Sequence, residues 1–154
     1  MKNLYFLVLV FVSLISSSAY SEELHIKSNK VDVKLLSDPD SWTYEILMNG
    51  ESALKDDGQI LSFMFNKSND SYFWGDKEYL IIQITTGGSG CPAFFRILDP
   101  NKEKNSLTEE FGTCSDTPNI SESENGLILS FPTREPNINR VWRYENGVLS
   151  EKST

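Results

Sequence analysis

YLIIQITTGGSGCPAFFRIL, residues 79–98, decides how the rest of the chain is read. Its first eight residues, Tyr79 to Thr86, are, apart from Gln83, apolar or β-branched at odd and even positions alike. A strand with both faces apolar is one covered from both sides, so a central strand is expected here. The run then breaks at Gly87-Gly88-Ser89-Gly90 and resumes as Pro92 to Leu98. A glycine loop after a strand invites a phosphate-cradle reading. That chemistry needs a helix N-terminus behind the loop, or a Gly-Lys-Ser/Thr ending. Here the loop feeds AFFRIL, a second strand, and the better reading is a hairpin turn.

Outward from this hairpin, period-two alternation dominates and helical periodicity is scarce. Val31, Val33 and Leu35 alternate with Asp32 and Lys34; Trp42, Tyr44, Ile46 and Met48 alternate with Thr43 and Glu45. Leu61, Phe63 and Phe65 share a face, and further runs cover Leu127–Phe131, Val141–Tyr144 and Val148–Ser150. Turn chemistry separates them at Asn49-Gly50, Asp57-Gly58, Trp74-Gly75-Asp76, Asp99-Pro100-Asn101, Asn125-Gly126 and Asn146-Gly147. The expected fold is all-β: an antiparallel meander of eight or nine short strands forming a sandwich or a partly open barrel. ENGLIL (124–129) and ENGVLS (145–150) look like two copies of one unit. The positive φ angles that Asn-Gly readily adopts in a type I′ turn account for both copies without a solenoid. KEKNSLTEE (102–110) reads as a solvated loop with room for one helical turn.

The N-terminus has the form of a secretory leader. Lys2 precedes an apolar run from Leu4 to Ile15, and Ala19 and Ser21 satisfy the small-residue rule for cleavage after Ser21. The run is shorter than the ~20 residues a spanning helix needs, so no membrane anchor is expected after cleavage. Residues 1–21 are thus expected to be a signal peptide and 22–154 a single β-rich domain, secreted and with the periplasm as its expected site. In an oxidising compartment the only two cysteines, Cys91 and Cys114, are expected to form a disulfide. Closing that loop is worth roughly 3.5 kcal/mol in the chain-entropy model.

The net charge of −8 argues against a nucleic-acid surface, which requires a basic stripe, and no polybasic membrane patch is present. An acidic surface suits solubility and can also steer a basic protein partner. The lone His25 lies far from both cysteines, and no nucleophile-elbow pattern surrounds a serine. Two cysteines and one histidine are a poor zinc ligand set. DPNKE (99–103) invites a calcium reading, but an EF-hand loop needs glycine at its sixth position, where Lys104 stands. Neither a metal nor a cofactor is expected. Carboxylates are abundant, Asp56, Asp57, Glu110 and Asp116 among them, but acid–base catalysis needs a pair with separated pKa values in one cleft.

Aromatics are the better lead. SYFWGD (71–76) places Tyr72, Phe73 and Trp74 consecutively beside a turn, so one at least faces away from its neighbours. With Arg96 and Arg143 they form a candidate hot-spot surface for a partner.

The pattern Cys91-Pro92-Ala93-x-Phe95 followed by Phe111-Gly112-x-Cys114-Ser115 resembles a set of small uncharacterised secreted or periplasmic bacterial proteins. In these β-rich proteins CPA-x-aromatic and FG-x-CS recur around a paired cysteine. The resemblance spans about Tyr79 to Asp116, and more loosely the RYENG hairpin. It implies a periplasmic β domain with this disulfide and carries no catalytic residues. Periplasmic lysozyme inhibitors share size, export and β character, but their SG-x-x-Y strand signature is absent. The expected function is an exported, non-catalytic binding domain of the inhibitor or immunity type, recognising a basic protein or an envelope component. The alternative is a small carboxylate-dependent hydrolase acting on envelope polymer.

Overall fold

The computed structural model describes residues 22–38, 40–57, 60–85, 88, 90–102, 107–135 and 137–152. The expected leader lies outside them, as do 86, 87 and 89 of the glycine loop and 103–106 of the charged loop. Among the described residues there is no helix, and twelve strands form three antiparallel sheets. The sheets are stacked and do not close into a barrel.

The N-terminal sheet is a meander of β1 (Glu22–Lys27), β2 (Asp32–Asp38), β3 (Thr43–Met48) and β4 (Glu51–Asp57). Val33 and Leu35 of β2 and Tyr44 and Ile46 of β3 bury one face. The other face is polar and tied by cross-strand pairs: His25 and Lys27 both reach Asp32, at 2.8 and 3.2 Å, and Lys34 meets Glu23 at 3.0 Å. Trp42, which alternation placed on the apolar face with Tyr44, lies outside the strand. It closes the β2–β3 turn in a left-handed conformation, φ 56°, and is exposed.

The middle sheet holds β5 (Ile60–Phe63), β6 (Phe73–Trp74), β7 (Tyr79–Thr85) and β8 (Ala93–Leu98). β5 and β6 share one edge of β7, and β8 takes the other. The two-faced apolar pattern of β7 is met by two separate cores. Leu80, Ile82 and Ile84 pack with Val33, Leu35, Tyr44 and Ile46 of the N-terminal sheet. Tyr79 and Ile81 pack on the opposite side with Leu127, Leu129, Phe131, Trp142 and Tyr144. Each such fully buried aliphatic contributes roughly 2 kcal/mol of transfer free energy, which is why this strand tolerates no polar face.

The C-terminal sheet is a second meander, β9 (Asn119–Ser123), β10 (Gly126–Pro132), β11 (Asn139–Glu145) and β12 (Val148–Lys152). The outermost strands of both meanders are rich in Glu, Lys, Asp and Ser, a composition that discourages edge-to-edge pairing with other chains.

The remaining edge of β8 is covered by a strap, residues 107–111, which takes the place expected for a solvated loop. Phe95 and Phe111 exchange backbone hydrogen bonds of 2.9 and 3.0 Å, Thr108 N donates to Ile97 O, and Thr108 Oγ1 accepts from Ile97 N. Phe111 inserts among Phe95, Phe131 and Trp142, with ring centroids 6.0 to 6.4 Å away. Gly112 follows at φ 131°, where an added Cβ would stand 3.3 Å from the Phe95 ring. The Cys91–Cys114 disulfide then ties the end of the strap to the start of β8.

The two Asn-Gly copies use different physics. Asn146-Gly147, like Asn49-Gly50, has positive φ at both residues and forms the two-residue turn of its hairpin. At the other copy the turn residues are Glu124-Asn125, since Gly126 already pairs with Ser123. Neither Asn125 nor Gly126 has positive φ, so the type I′ expectation fails there. Gly126 is required by close approach instead: a Cβ would land on the Tyr144 carbonyl oxygen and lie 3.1 Å from the Glu145 Cα.

Candidate functional site

Five residues were expected to share a surface: Tyr72, Phe73, Trp74, Arg96 and Arg143. The structure disperses them. Trp74 is buried in the C-terminal core with its indole N–H donating to Met64 O at 3.1 Å. Phe73 packs against the N-terminal core. Such division is what period two dictates: on β6, consecutive side chains leave opposite faces and each face has its own core. Arg143 reaches Glu145 at 3.4 Å on the C-terminal sheet.

The Arg96 side chain is 13% exposed and works as a clamp between the strap and β4 of the N-terminal sheet. One terminal nitrogen donates to Thr108 O at 2.9 Å, and the other lies 3.2 Å from Glu110 and 3.8 Å from Asp56 on β4. The Tyr44 hydroxyl donates to the same Glu110 oxygen at 3.4 Å. Burial pushes that phenol up to about 12, with Arg96 pulling the other way and Glu110 and Asp56 adding to the rise. Asp56 and Glu110 therefore do meet, but with a guanidinium between them where a hydrolase would seat its substrate.

Of the three consecutive aromatics Tyr72 alone is exposed, and it has a partner in Phe65. Phe65 was expected to share a face with Phe63. The strand ends at Phe63, the chain turns, and Phe65 and Tyr72 emerge together at either side of the 66–71 loop. Each is 42% exposed, and their rings sit edge to face at 5.1 Å, with Phe63 behind Tyr72 at 6.2 Å. The loop beneath is tied at every turn. Asn66 and Ser71 exchange backbone hydrogen bonds of 2.7 and 3.2 Å. The buried Asn66 side chain donates to Phe73 O and to Glu122 on β9, and accepts from Ser68 N. Asn69 donates to Phe73 O at 3.0 Å, and Glu122 also accepts from Gly75 N. The two rings are thus held in place before any partner arrives.

A cleft of about 260 Å³ opens between the strap and the β11–β12 hairpin, lined by Lys102, Leu107, Thr108, Tyr144 and Leu149 among others. At its base the Tyr144 hydroxyl donates to the buried Asp99 carboxylate at 3.0 Å. Burial first, and then that hydrogen bond, raise the Tyr144 phenol well above its ordinary value. Asp99 also accepts from Asn101 N and Nδ2, which makes the turn after β8 a rigid one. The Asp99–Tyr144 pair escaped sequence reading because forty-five positions separate its members and no motif links them.

Among the described residues no group of three His, Cys, Asp or Glu side chains could hold a metal ion. Among them, too, no helix is long and apolar enough to cross a membrane. The disulfide is consistent with a compartment outside the cytoplasm. No family model, curated protein or solved structure matches the chain.

Proposed function

We propose that the protein is an exported, non-catalytic binding domain that recognises a protein or envelope component of the periplasm, in the manner of an inhibitor or immunity protein. One observation carries this reading: Phe65 and Tyr72 form an exposed aromatic pair on a loop already fixed by its own hydrogen bonds. Rigid exposed aromatics are the usual anchors of an interface, because they bury large area at little cost in conformational entropy. The test compares the mature protein with the Phe65→Ala/Tyr72→Ala double variant against purified peptidoglycan and against envelope extract, with partners identified by mass spectrometry. Retention by the parent and its loss in the equally folded variant is the expected result. A parent protein that binds neither material overturns the reading.

The second reading, a carboxylate-dependent hydrolase of envelope polymer, draws on the meeting of Asp56 and Glu110 at Arg96. It requires peptidoglycan turnover by the parent protein that Asp56→Asn or Glu110→Gln abolishes. No turnover by the parent disposes of it.

A further inference from the structure

Trp42 is costly twice over. Its φ of 56° places a bulky side chain in the left-handed region that glycine and asparagine occupy cheaply. Its indole is also 52% exposed, and among the described residues neither a hydrogen bond nor a ring contact compensates it. The surrounding turn is far from loose. The Asp38 carboxylate accepts from Asp40 N at 3.0 Å, Ser41 N at 3.3 Å and Ser41 Oγ at 2.8 Å, and Ser41 Oγ lies 2.7 Å from Thr43 Oγ1. The hydrogen bonds that tie this turn involve Asp38, Ser41 and Thr43, and none of them uses the Trp42 side chain.

The charges around it indicate what it meets. Asp38 and Asp57 both stand opposite Thr43 in the strand register, one on each side, so their side chains share the solvent face beside Thr43, the residue that follows Trp42. Asp40 lies in the turn itself and is exposed. Among the described residues one cation, Lys55, sits nearby, in register with Glu45, and its charge acts on the Asp38 carboxylate, which leaves Asp40 and Asp57 as the carboxylates open to a ligand. An exposed indole flanked by carboxylates is complementary to a flat cation, since the ring face attracts positive charge and the carboxylates hydrogen-bond it. From this geometry we infer that the Trp42 turn is a docking point for an arginine side chain of a basic protein. The inference deepens the binding-domain reading and names the chemistry of the partner. It uses a different surface from the Phe65–Tyr72 pair.

The probe is a short peptide with alternating arginine and glycine, followed by tryptophan fluorescence at low and high salt. Trp74 and Trp142 are buried, so Trp42 reports selectively on an aqueous ligand. The parent is expected to bind, with affinity about tenfold above that of the Trp42→Gly variant measured by calorimetry. Asp40→Asn/Asp57→Asn weakens binding and flattens its salt dependence, whereas Phe65→Ala/Tyr72→Ala leaves it unchanged. Trp42→Gly is also expected to raise the urea midpoint, because glycine relieves the left-handed strain. Gain of stability with loss of binding marks a residue kept for its ligand. Equal binding by parent and Trp42→Gly means bulk charge attraction alone and overturns the inference, as does absence of binding by the parent. Retention on envelope extract that survives in Trp42→Gly but fails in Phe65→Ala/Tyr72→Ala rejects this docking point and leaves the broader function standing.

Discussion

Gly126 and Gly50 follow asparagines in sequences that look alike, yet replacing each with alanine is expected to cost very different amounts. At Gly50 an added Cβ meets nothing within 4 Å, and the only penalty is φ +84°, roughly 1–2 kcal/mol for a non-glycine residue. At Gly126 the backbone angle is ordinary, but the Cβ would occupy the position of the Tyr144 carbonyl oxygen, with the carbonyl carbon at 2.9 Å. Neither neighbour is a side chain that can swing aside. β10 and β11 must move apart, and their register runs on through Leu127, Leu129 and Phe131, all buried in the C-terminal core. Overpacking of this kind against backbone costs about 3 kcal/mol. With a urea m-value of about 1.5 kcal/mol/M, Gly126→Ala should lower the denaturation midpoint by about 2 M, and Gly50→Ala by about 1 M or less. Gly147→Ala should resemble Gly50→Ala, because the Cβ there meets only the flexible end of Lys102. Equal midpoints for the Gly126 and Gly50 variants would refute the claim that Gly126 is held by close approach.

Three other outcomes are expected. Replacing Cys91 and Cys114 together by serine should cost roughly 3.5 kcal/mol by urea denaturation, the value for closing a loop across 23 positions; a loss under about 1 kcal/mol rejects the staple as a major contributor. Tyr44 is favoured as the neutral phenol in the folded state, so its contribution is complete below its ordinary value of 10.0 and is lost as pH rises towards about 12. Stability measured across that window should fall less steeply in Tyr44→Phe, and an unchanged slope counts against the burial argument. Arg96→Ala leaves Glu110 and Thr108 O without their shared donor and Asp56 without its counter-ion, and should destabilise by about 2 kcal/mol, with Arg96→Met recovering part of it through packing alone.

The central strand was legible from its residues because a two-faced apolar pattern has few other solutions in a chain this short. The disulfide was legible from compartment and cysteine count. The strands at the sheet edges were not: β1, β4 and β9 carry little apolar periodicity, because the edge of a meander has only half a face to bury. Trp42 and Phe65 continue an alternating pattern on paper, yet β3 begins one residue after Trp42 and β5 ends two residues before Phe65. Nothing local distinguishes a ring that enters the core from one turned out by a left-handed backbone. Trp74 and Arg96 failed as surface residues for a similar reason, since their burial depends on which sheet lies opposite, a tertiary fact. The strap was hidden by its charges: Lys102, Glu103 and Lys104 before it and Glu109 and Glu110 within it mask the two apolar anchors Leu107 and Phe111.

The arrangement of one sheet between two others also bears on how the molecule opens. The staple, the aromatic cluster and Phe111 of the strap reinforce the interface between the middle and C-terminal sheets, while Leu107 and Glu110 of the strap face the N-terminal sheet. The N-terminal meander is joined to the rest by a mainly aliphatic core and a few polar contacts, Tyr44 to Glu110 and Asp56 to Arg96 among them, and has no covalent tie other than the chain itself. Such asymmetry divides the domain into two cooperative units of unequal strength, and amide protons of β2 and β3 should exchange through a subglobal opening that leaves β10 and β11 protected. The Trp42 turn sits on the weaker unit. A partner that grips it would slow exchange across that whole meander, so binding at one hairpin tip would be recorded along the full length of four strands.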